Sequence, residues 1–268
     1  MPPSNPQPEV NDKTLLCERC GYIIEGLPAA GVCPECGLPI EQSLPARRQG
    51  SPMQRHRGFG PLLLTSWLVL RHPLRTLDSM SVSKPSVRAL LLLAALPIGQ
   101  LLGVGVLLLL ELERRTASGA TSWSPGSVIG SMALGIILGC LLTPVAMLML
   151  GALTWIEARG LVIFGAQAGS RVHPELAHTI VRHGAAGWLV SGLGAALMLP
   201  LAWGLETEFA RYLGGGVGHT PPRWSLLLAA SGIVLVLAGF LAFECFAWLG
   251  LRRCRFANKH RSAPQRDE

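Results

Sequence analysis

Four cysteines near the beginning of the chain have the spacing of a metal site. They form two C-x-x-C pairs in the stretch CERCGYIIEGLPAAGVCPECG, with twelve residues between the pairs: Cys17, Cys20, Cys33 and Cys36. Each pair places two thiolates on one side of a tight turn, and two such turns close a tetrahedron around Zn²⁺. Because all four positions are then filled by protein, the predicted site is structural and not catalytic.

The short segment that carries these cysteines, residues 15–42, is too small to bury a core of its own. A structural zinc ion supplies on the order of 10 kcal/mol of folding free energy to a peptide of this size. Gly21 and Gly37 each follow the second cysteine of a pair, where glycine suits the turn. We therefore predict a zinc ribbon over residues 15–42, since a redox pair would need a thioredoxin-like context that the sequence lacks.

Two polar residues lie inside long apolar stretches. Glu244, in LAFECFAWLG, is a carboxylic acid within a predicted membrane span, which is by default a functional-site hypothesis. The favoured interpretation is an ion pair or hydrogen bond with Arg159 or Arg182, and the alternative is a role in proton or ion movement. Gln100 is expected to bond a neighbouring helix rather than a ligand. No catalytic constellation is present, so we predict a protein that is not an enzyme.

The rest of the chain has the composition of a membrane protein. Only 15% of its 268 residues are charged, against about 25% in a typical globular domain. Four apolar runs each supply the roughly 20 residues that a bilayer-spanning helix needs: 89–110, 128–155, 185–205 and 224–251. The predicted fold class is an all-α polytopic membrane bundle of four transmembrane helices, within residues 86–256.

The segments around these spans differ in character. Residues 1–14 are predicted to be disordered, 43–58 to form a flexible basic linker, and 257–268 a disordered basic tail. Residues 59–82 read as an interfacial amphipathic helix, with packing against the bundle as the alternative. The stretch 160–169 is read as part of the loop between spans, either re-entrant or interfacial.

Positive charge gives the orientation. All but four of the 23 arginines and lysines fall before the first span, in the middle loop or after the last span. Positive loops stay cytoplasmic, so both termini and the middle loop are predicted to face the cytosol. The lipid bilayer is then a partner of the chain, and the basic charge needs no nucleic acid to explain it.

Small residues recur every four positions on two neighbouring spans. Gly135 and Gly139 follow Ser131 in the second span, and Ser191 follows Gly187 in the third. Such stripes let helix backbones approach closely. We interpret them as packing within one chain, and a homo-oligomer formed through the same stripes is the alternative.

Several motifs resemble a known group of proteins. CERCGYIIEGLP and GVCPECGLPI are similar to the zinc ribbon of bacterial multi-pass proteins of unassigned function, and TWIEARGLVIFGAQAGSRVHPELAHTIVRHGAAGW with ECFAWLGLRRCRFAN resembles their membrane half. That half is distantly similar to the Yip family, whose members are linked to membrane trafficking and usually have five spans. The resemblance implies a bacterial inner membrane and no enzyme activity.

Two functions fit these observations. The first is an inner-membrane protein whose cytosolic zinc ribbon, on a flexible leash, recruits or scaffolds a protein partner. The second is a small transporter or channel that uses Glu244 and Gln100 within the membrane.

Overall fold

The described part of the chain is helical. A computed structural model describes residues 14–82, 85–118, 125–213 and 223–259, without the side chains of 111–112, 114–118, 125–129, 131–132, 201–213 and 223–225. Two 3-10 turns, Ile40–Ser43 and Pro45–Arg47, come first, and no β-strand occurs in these ranges. The helices are α1 Pro52–Arg55, α2 Phe59–Arg71, α3 Pro73–Ser79, α4 Arg88–Ser118, α5 Pro125–Gln167, α6 Pro174–Gly184, α7 Ala186–Leu213 and α8 Arg223–Arg253.

The chain divides into two compact units. We call the first the head unit; it comprises Met1–Pro85, Ile156–His183 and Phe246–Glu268. The second, the span unit, comprises Ser86–Trp155 and Gly184–Cys245. The segments predicted as disordered lie largely outside the described residues, which begin at 14 and end at 259.

In the span unit, small residues bring α4 against two neighbouring helices. A Cβ atom added to Gly99 would lie 2.7 Å from the Cα of Thr143 on α5, and one added to Gly139 would lie 2.8 Å from the Cα of Gln100 on α4. A Cβ on Gly192 of α7 would lie 2.8 Å from the Cα of Ala94. Backbones this close leave no room for a side chain, so glycine is required at these crossings.

The two small-residue stripes contact different partners. Gly135 and Gly139 on α5 lie against Gly103 of α4. Gly187 and Ser191 on α7 lie against Gly239 of α8, where the Ser191 hydroxyl also donates to the Val236 carbonyl at 3.0 Å. The side chain of Ser131 is outside the described residues. The stripes therefore serve two separate helix pairs within one chain.

The outer surface of the span unit is apolar, as lipid contact requires. Leu148 on α5 is 73% exposed and Leu227 on α8 is 68% exposed. Within the described residues, three helices are long and apolar enough to cross a membrane: Arg88–Leu110, Ala133–Gln167 and Leu226–Arg253. The remaining predicted span falls on α7, whose side chains are not described beyond residue 200, so a fourth crossing stays a prediction.

The head unit differs from the expected flexible linker. Residues 43–58 hold part of the first 3-10 turn, the second turn and α1, which a capping box at Ser51 begins. Arg48 and Ser51 are buried. Basic composition suggested a solvated segment, but the guanidinium of Arg48 has buried polar partners that the local sequence does not reveal.

Two further segments differ from their expected form. The predicted interfacial helix 59–82 is interrupted at His72, because Pro73 lacks an N–H and begins α3 instead. The stretch 160–169 is not a separate loop segment: α5 continues to Gln167 and ends with Gly169 in the left-handed region at φ 67°. The apolar run of α5 is longer than one membrane thickness. From composition alone, its last part was therefore predicted to be a separate segment.

A pair of glycines on α4 tests the close helix approach. Gly103→Ala should destabilise the span unit by about 1–3 kcal/mol, because its methyl group would overlap the backbone of Gly139. Gly105→Ala is the matched control, since nothing lies within 4 Å of a Cβ there. Thermal unfolding in detergent measures both variants, and equal melting temperatures would contradict the packing described.

Candidate metal centre and its attachments

The four predicted ligand cysteines come together in the head unit. Their sulfur atoms all lie within 4.8 Å of one another: Cys17, Cys20, Cys33 and Cys36. The Cys17–Cys36 and Cys20–Cys33 sulfur pairs are 3.5 and 3.6 Å apart, and all four residues are free cysteines. A tetrahedron with Zn–S bonds of 2.3 Å has edges of about 3.8 Å. The donor set therefore fits a single metal ion held by four thiolates.

The two cysteine turns repeat the same backbone pattern. The N–H groups of Gly21 and Gly37 donate to the carbonyls of Cys17 and Cys33, each at 2.9 Å. Both glycines lie in the left-handed region, at φ 81° and 70°. Only glycine adopts this conformation without strain, so each turn can bend its two sulfurs toward the common centre.

Local hydrogen bonds and burial set the charge of the thiols. Burial opposes ionisation of Cys33, but hydrogen bonds from the backbone of Cys36 and Glu35 lower its pKa to about 7. Burial raises the pKa of Cys20 above its ordinary value. A metal ion that binds here thus displaces protons, and its affinity falls in acid.

A buried asparagine after the last helix attaches the cysteine module to the rest of the head unit. The Asn258 amide nitrogen donates to the carbonyls of Leu16 and Ser43, each at 2.7 Å. Its Oδ1 accepts the Leu16 N–H at 3.0 Å and a guanidinium N–H of Arg171 at 3.3 Å. Both sides of the amide are satisfied, and the side chain supplies hydrogen bonds to the buried backbone groups of Leu16 and Ser43.

A buried ion pair makes a second attachment. The Arg48 guanidinium donates to both carboxylate oxygens of Glu18, each at 2.9 Å, and to the carbonyls of Leu77 and Met80 at 2.8 and 3.3 Å. Burial alone would lower the pKa of Arg48, yet the bonds to Glu18 hold it above its ordinary value. A buried charge pair costs desolvation, but one whose guanidinium makes four directed hydrogen bonds fixes a single arrangement of the chain.

Two further contacts connect the module to distant residues. The Phe256 ring lies under the first cysteine turn, where a Cβ on Gly21 would come within 2.9 Å of it. Arg171 donates to the Thr14 carbonyl at 2.7 Å, and its own N–H donates to the Arg255 carbonyl at 2.8 Å. The beginning, middle and end of the chain thus meet around the metal centre.

The sequence alone did not predict these attachments. Asn258 lies in the predicted disordered basic tail, Phe256 lies directly before that tail, and Arg48 lies in the predicted linker. The available signal was weak: RFAN adds an aromatic and an amide residue to a run of arginines. Buried polar partners from opposite ends of a chain leave no local pattern.

The polar residues predicted inside the spans do not form a site together. Gln100 donates to the Cys140 sulfur at 3.5 Å and lies against Gly139, which agrees with a helix-packing role. Glu244 is half-buried on α8. Among the described residues of the span unit its carboxylate has no hydrogen bond or ion pair. Arg159 and Arg182 belong to the head unit, and the pairing of Glu244 with either of them stays a prediction.

A fully buried histidine joins α6 to the segment before α1. His183 Nδ1 is 2.8 Å from the Thr179 carbonyl, and Nε2 is 2.9 Å from the Ser51 hydroxyl. In the neutral ring, Nδ1–H donates to the carbonyl and Nε2 accepts the hydroxyl proton. Burial lowers the pKa of His183 to about 4.

Removal of the Asn258 side chain should loosen the cysteine module. Asn258→Ala leaves several buried backbone groups unpaired, so we expect a loss of about 3 kcal/mol in head-unit stability. Metal release to a competing chelator, followed by absorbance, should be at least tenfold faster (roughly, from the same free energy). Lys259→Ala is the control, since its ion pair with Glu175 is exposed. Release at the wild-type rate from Asn258→Ala would refute the attachment.

Acid should destabilise the head unit through His183. Its folded pKa lies below the unfolded value near 6.5, so the unfolded chain binds more protons between pH 6.5 and 4. Stability is complete above pH 6.5 and falls as pH drops through this window, by about 2 kcal/mol between pH 7.5 and 5. His183→Gln should remove that part of the pH dependence in denaturant unfolding curves. Identical slopes for both proteins would contradict the assignment.

Comparison of the chain with known protein families, with curated proteins and with solved structures finds no match. The resemblance to zinc-ribbon and Yip-type membrane proteins therefore stays a prediction from the quoted motifs. What the chain does has to follow from its own residues: the four-cysteine cluster, its buried attachments and the apolar helices.

Proposed function

We propose that this chain is a non-enzymatic inner-membrane scaffold that holds a zinc ribbon in a fixed position at the cytosolic surface. The attachment of the cysteine module through Asn258 carries this proposal. A module whose Leu16 backbone is hydrogen-bonded to the buried Asn258 side chain presents one defined surface. A module on a flexible linker would not. Preorganisation of this kind lowers the entropic cost of binding a partner.

The chemistry of the donor set favours zinc as the metal. Four thiolates in a closed tetrahedral site select zinc or iron among common metals. Zinc is favoured because it is redox-inert and because such sites typically serve to stabilise folds that lack a large core. The buried apolar residues of the module are few, Leu16, Ile24 and Ile40 beside the cysteines, so the metal would supply most of its stability.

Metal analysis of the purified protein tests this assignment. Plasma mass spectrometry should find about one zinc ion per chain and little iron. Cys20→Ser should lose most of the metal, whereas Cys245→Ser, at an exposed cysteine outside the cluster, should keep it. A chain that is stable and metal-free, or that carries iron, would overturn the zinc ribbon.

Two observations support the membrane orientation of the proposal. The head unit gathers the three segments that the charge distribution assigns to the cytosol, namely the chain before the first span, the middle segment and the tail. Helix α2 also has an apolar face turned outward, with Phe59, Leu63, Trp67 and Leu70 exposed. Arg71 and Arg75 flank this face, a combination that suits the interface of an anionic bilayer.

The exposed apolar residues of the ribbon offer a surface for a protein partner. Val32 is 59% exposed, and Tyr22 and Leu27 are also exposed. Aromatic and aliphatic side chains held on a rigid support are typical of interface anchors.

Affinity capture from detergent extracts of crosslinked cells tests recruitment. Tyr22→Ser with Val32→Ser should remove a co-purified protein that the wild type retains, without loss of zinc. Leu70→Ser is the control, because it removes an exposed apolar side chain from α2 instead. A set of captured proteins that is unchanged by the ribbon variant would contradict recruitment by this surface.

The carboxyl group of Glu244 within α8 favours a second candidate function, proton or ion movement. An acid within a span that has no partner among the described residues of the span unit is costly unless it serves function. Purified protein in proteoliposomes should then carry a proton or cation flux that Glu244→Gln abolishes. Flux equal to that of empty liposomes would exclude this candidate.

A further inference from the structure

A cavity in the head unit is lined mainly by arginines. It has a volume of about 450 Å³ and lies beside the first cysteine turn, α3 and the end of α8. The charged residues that line it are Glu18, Asp78, Arg19, Arg47, Arg252 and Arg253. A volume of this size admits a phosphate group together with part of the molecule that bears it.

Both acids of the cavity are already neutralised. Glu18 accepts two hydrogen bonds from Arg48, which lies behind the wall of the cavity. Asp78 accepts two from Arg253, at 2.7 and 3.0 Å. Each bidentate pair uses both oxygens of its carboxylate, so neither acid is left to balance the other arginines.

Three guanidinium groups of the lining have no carboxylate partner within the described residues. Arg47 donates only to the Gln42 carbonyl, at 3.3 Å. Arg252 stacks on the Trp248 ring with its central carbon 4.1 Å from the ring centre. Arg19 is exposed and makes no ion pair. Three positive charges held around one cavity repel one another, and an anion between them relieves that repulsion.

We propose that this cavity binds a phosphate-bearing anion. Guanidinium forks match the oxygen spacing of phosphate, and three of them converge here from different parts of the chain. The position of Arg252 favours a lipid headgroup as the source of the phosphate, because this residue directly follows the apolar stretch of α8. Basic pockets beside membrane helices bind headgroups in this way. A soluble phosphate compound has the same chemistry, and the experiment below separates the two sources.

The test compares two probes on the full-length protein. One is inorganic phosphate added to detergent-solubilised protein, and the other is a nanodisc of phosphatidylcholine with or without phosphatidylglycerol. A probe that binds the folded chain should raise the melting temperature by several degrees. A shift with phosphatidylglycerol alone identifies a lipid headgroup, and a shift with phosphate alone identifies a soluble ligand.

Variants locate the binding. Arg19→Gln with Arg47→Gln should weaken the affinity of the protein for the stabilising probe by roughly tenfold for each guanidinium removed. Arg55→Gln with Arg57→Gln is the matched control, since it removes the same charge from exposed arginines of the head unit that do not line the cavity. If the double variant loses zinc, Arg252→Gln provides the same test with one substitution. The proposal fails if neither probe stabilises the protein, or if the control variant loses as much affinity as the cavity variants.

Discussion

The buried polar bonds around Asn258 determine how the rest of the head unit is arranged. One side chain after the last helix bonds both backbone groups of Leu16, the carbonyl of Ser43 and the guanidinium of Arg171. The backbone groups of Leu16 and Ser43 are buried, so none of them can lose its hydrogen bond without cost. The cysteine module is consequently part of a larger folded unit.

Two different solvents act on the two units of the chain. The span unit exposes leucine and isoleucine, and its helices contact one another at glycine residues. Helix association in hydrocarbon gains nothing from the hydrophobic effect, so close packing must stabilise it. The head unit buries charge and hydrogen-bonding groups instead, with Arg48, His183 and Asn258 all shielded. A buried His183 that must stay neutral makes this unit sensitive to acid.

Local patterns predicted part of this structure well. The spacing of the cysteines predicted the cluster, and the glycine after each pair predicted the left-handed turns. Hydropathy predicted long apolar helices. These features depend on residues near one another in sequence. The attachment of the module depends on contacts between residues that are far apart in the sequence. Leu16 bonds Asn258, near the other end of the chain, and Glu18 pairs with Arg48, which is buried only in the folded protein. From the sequence alone Arg48 was predicted to be solvated, whereas it is a buried structural cation.

Amide hydrogen exchange at Leu16 tests the fixed position of the module most directly. The N–H groups of Cys17 and Ile24 are bonded within the module, to Tyr22 and Leu15. The Leu16 N–H has Asn258 as its one partner among the residues that the structure describes. In the intact protein, residue-resolved exchange should find Leu16 protected to a degree similar to that of Cys17 and Ile24. Fast exchange at Leu16, with the other two amides still protected, would show a folded module that moves freely and would contradict this account.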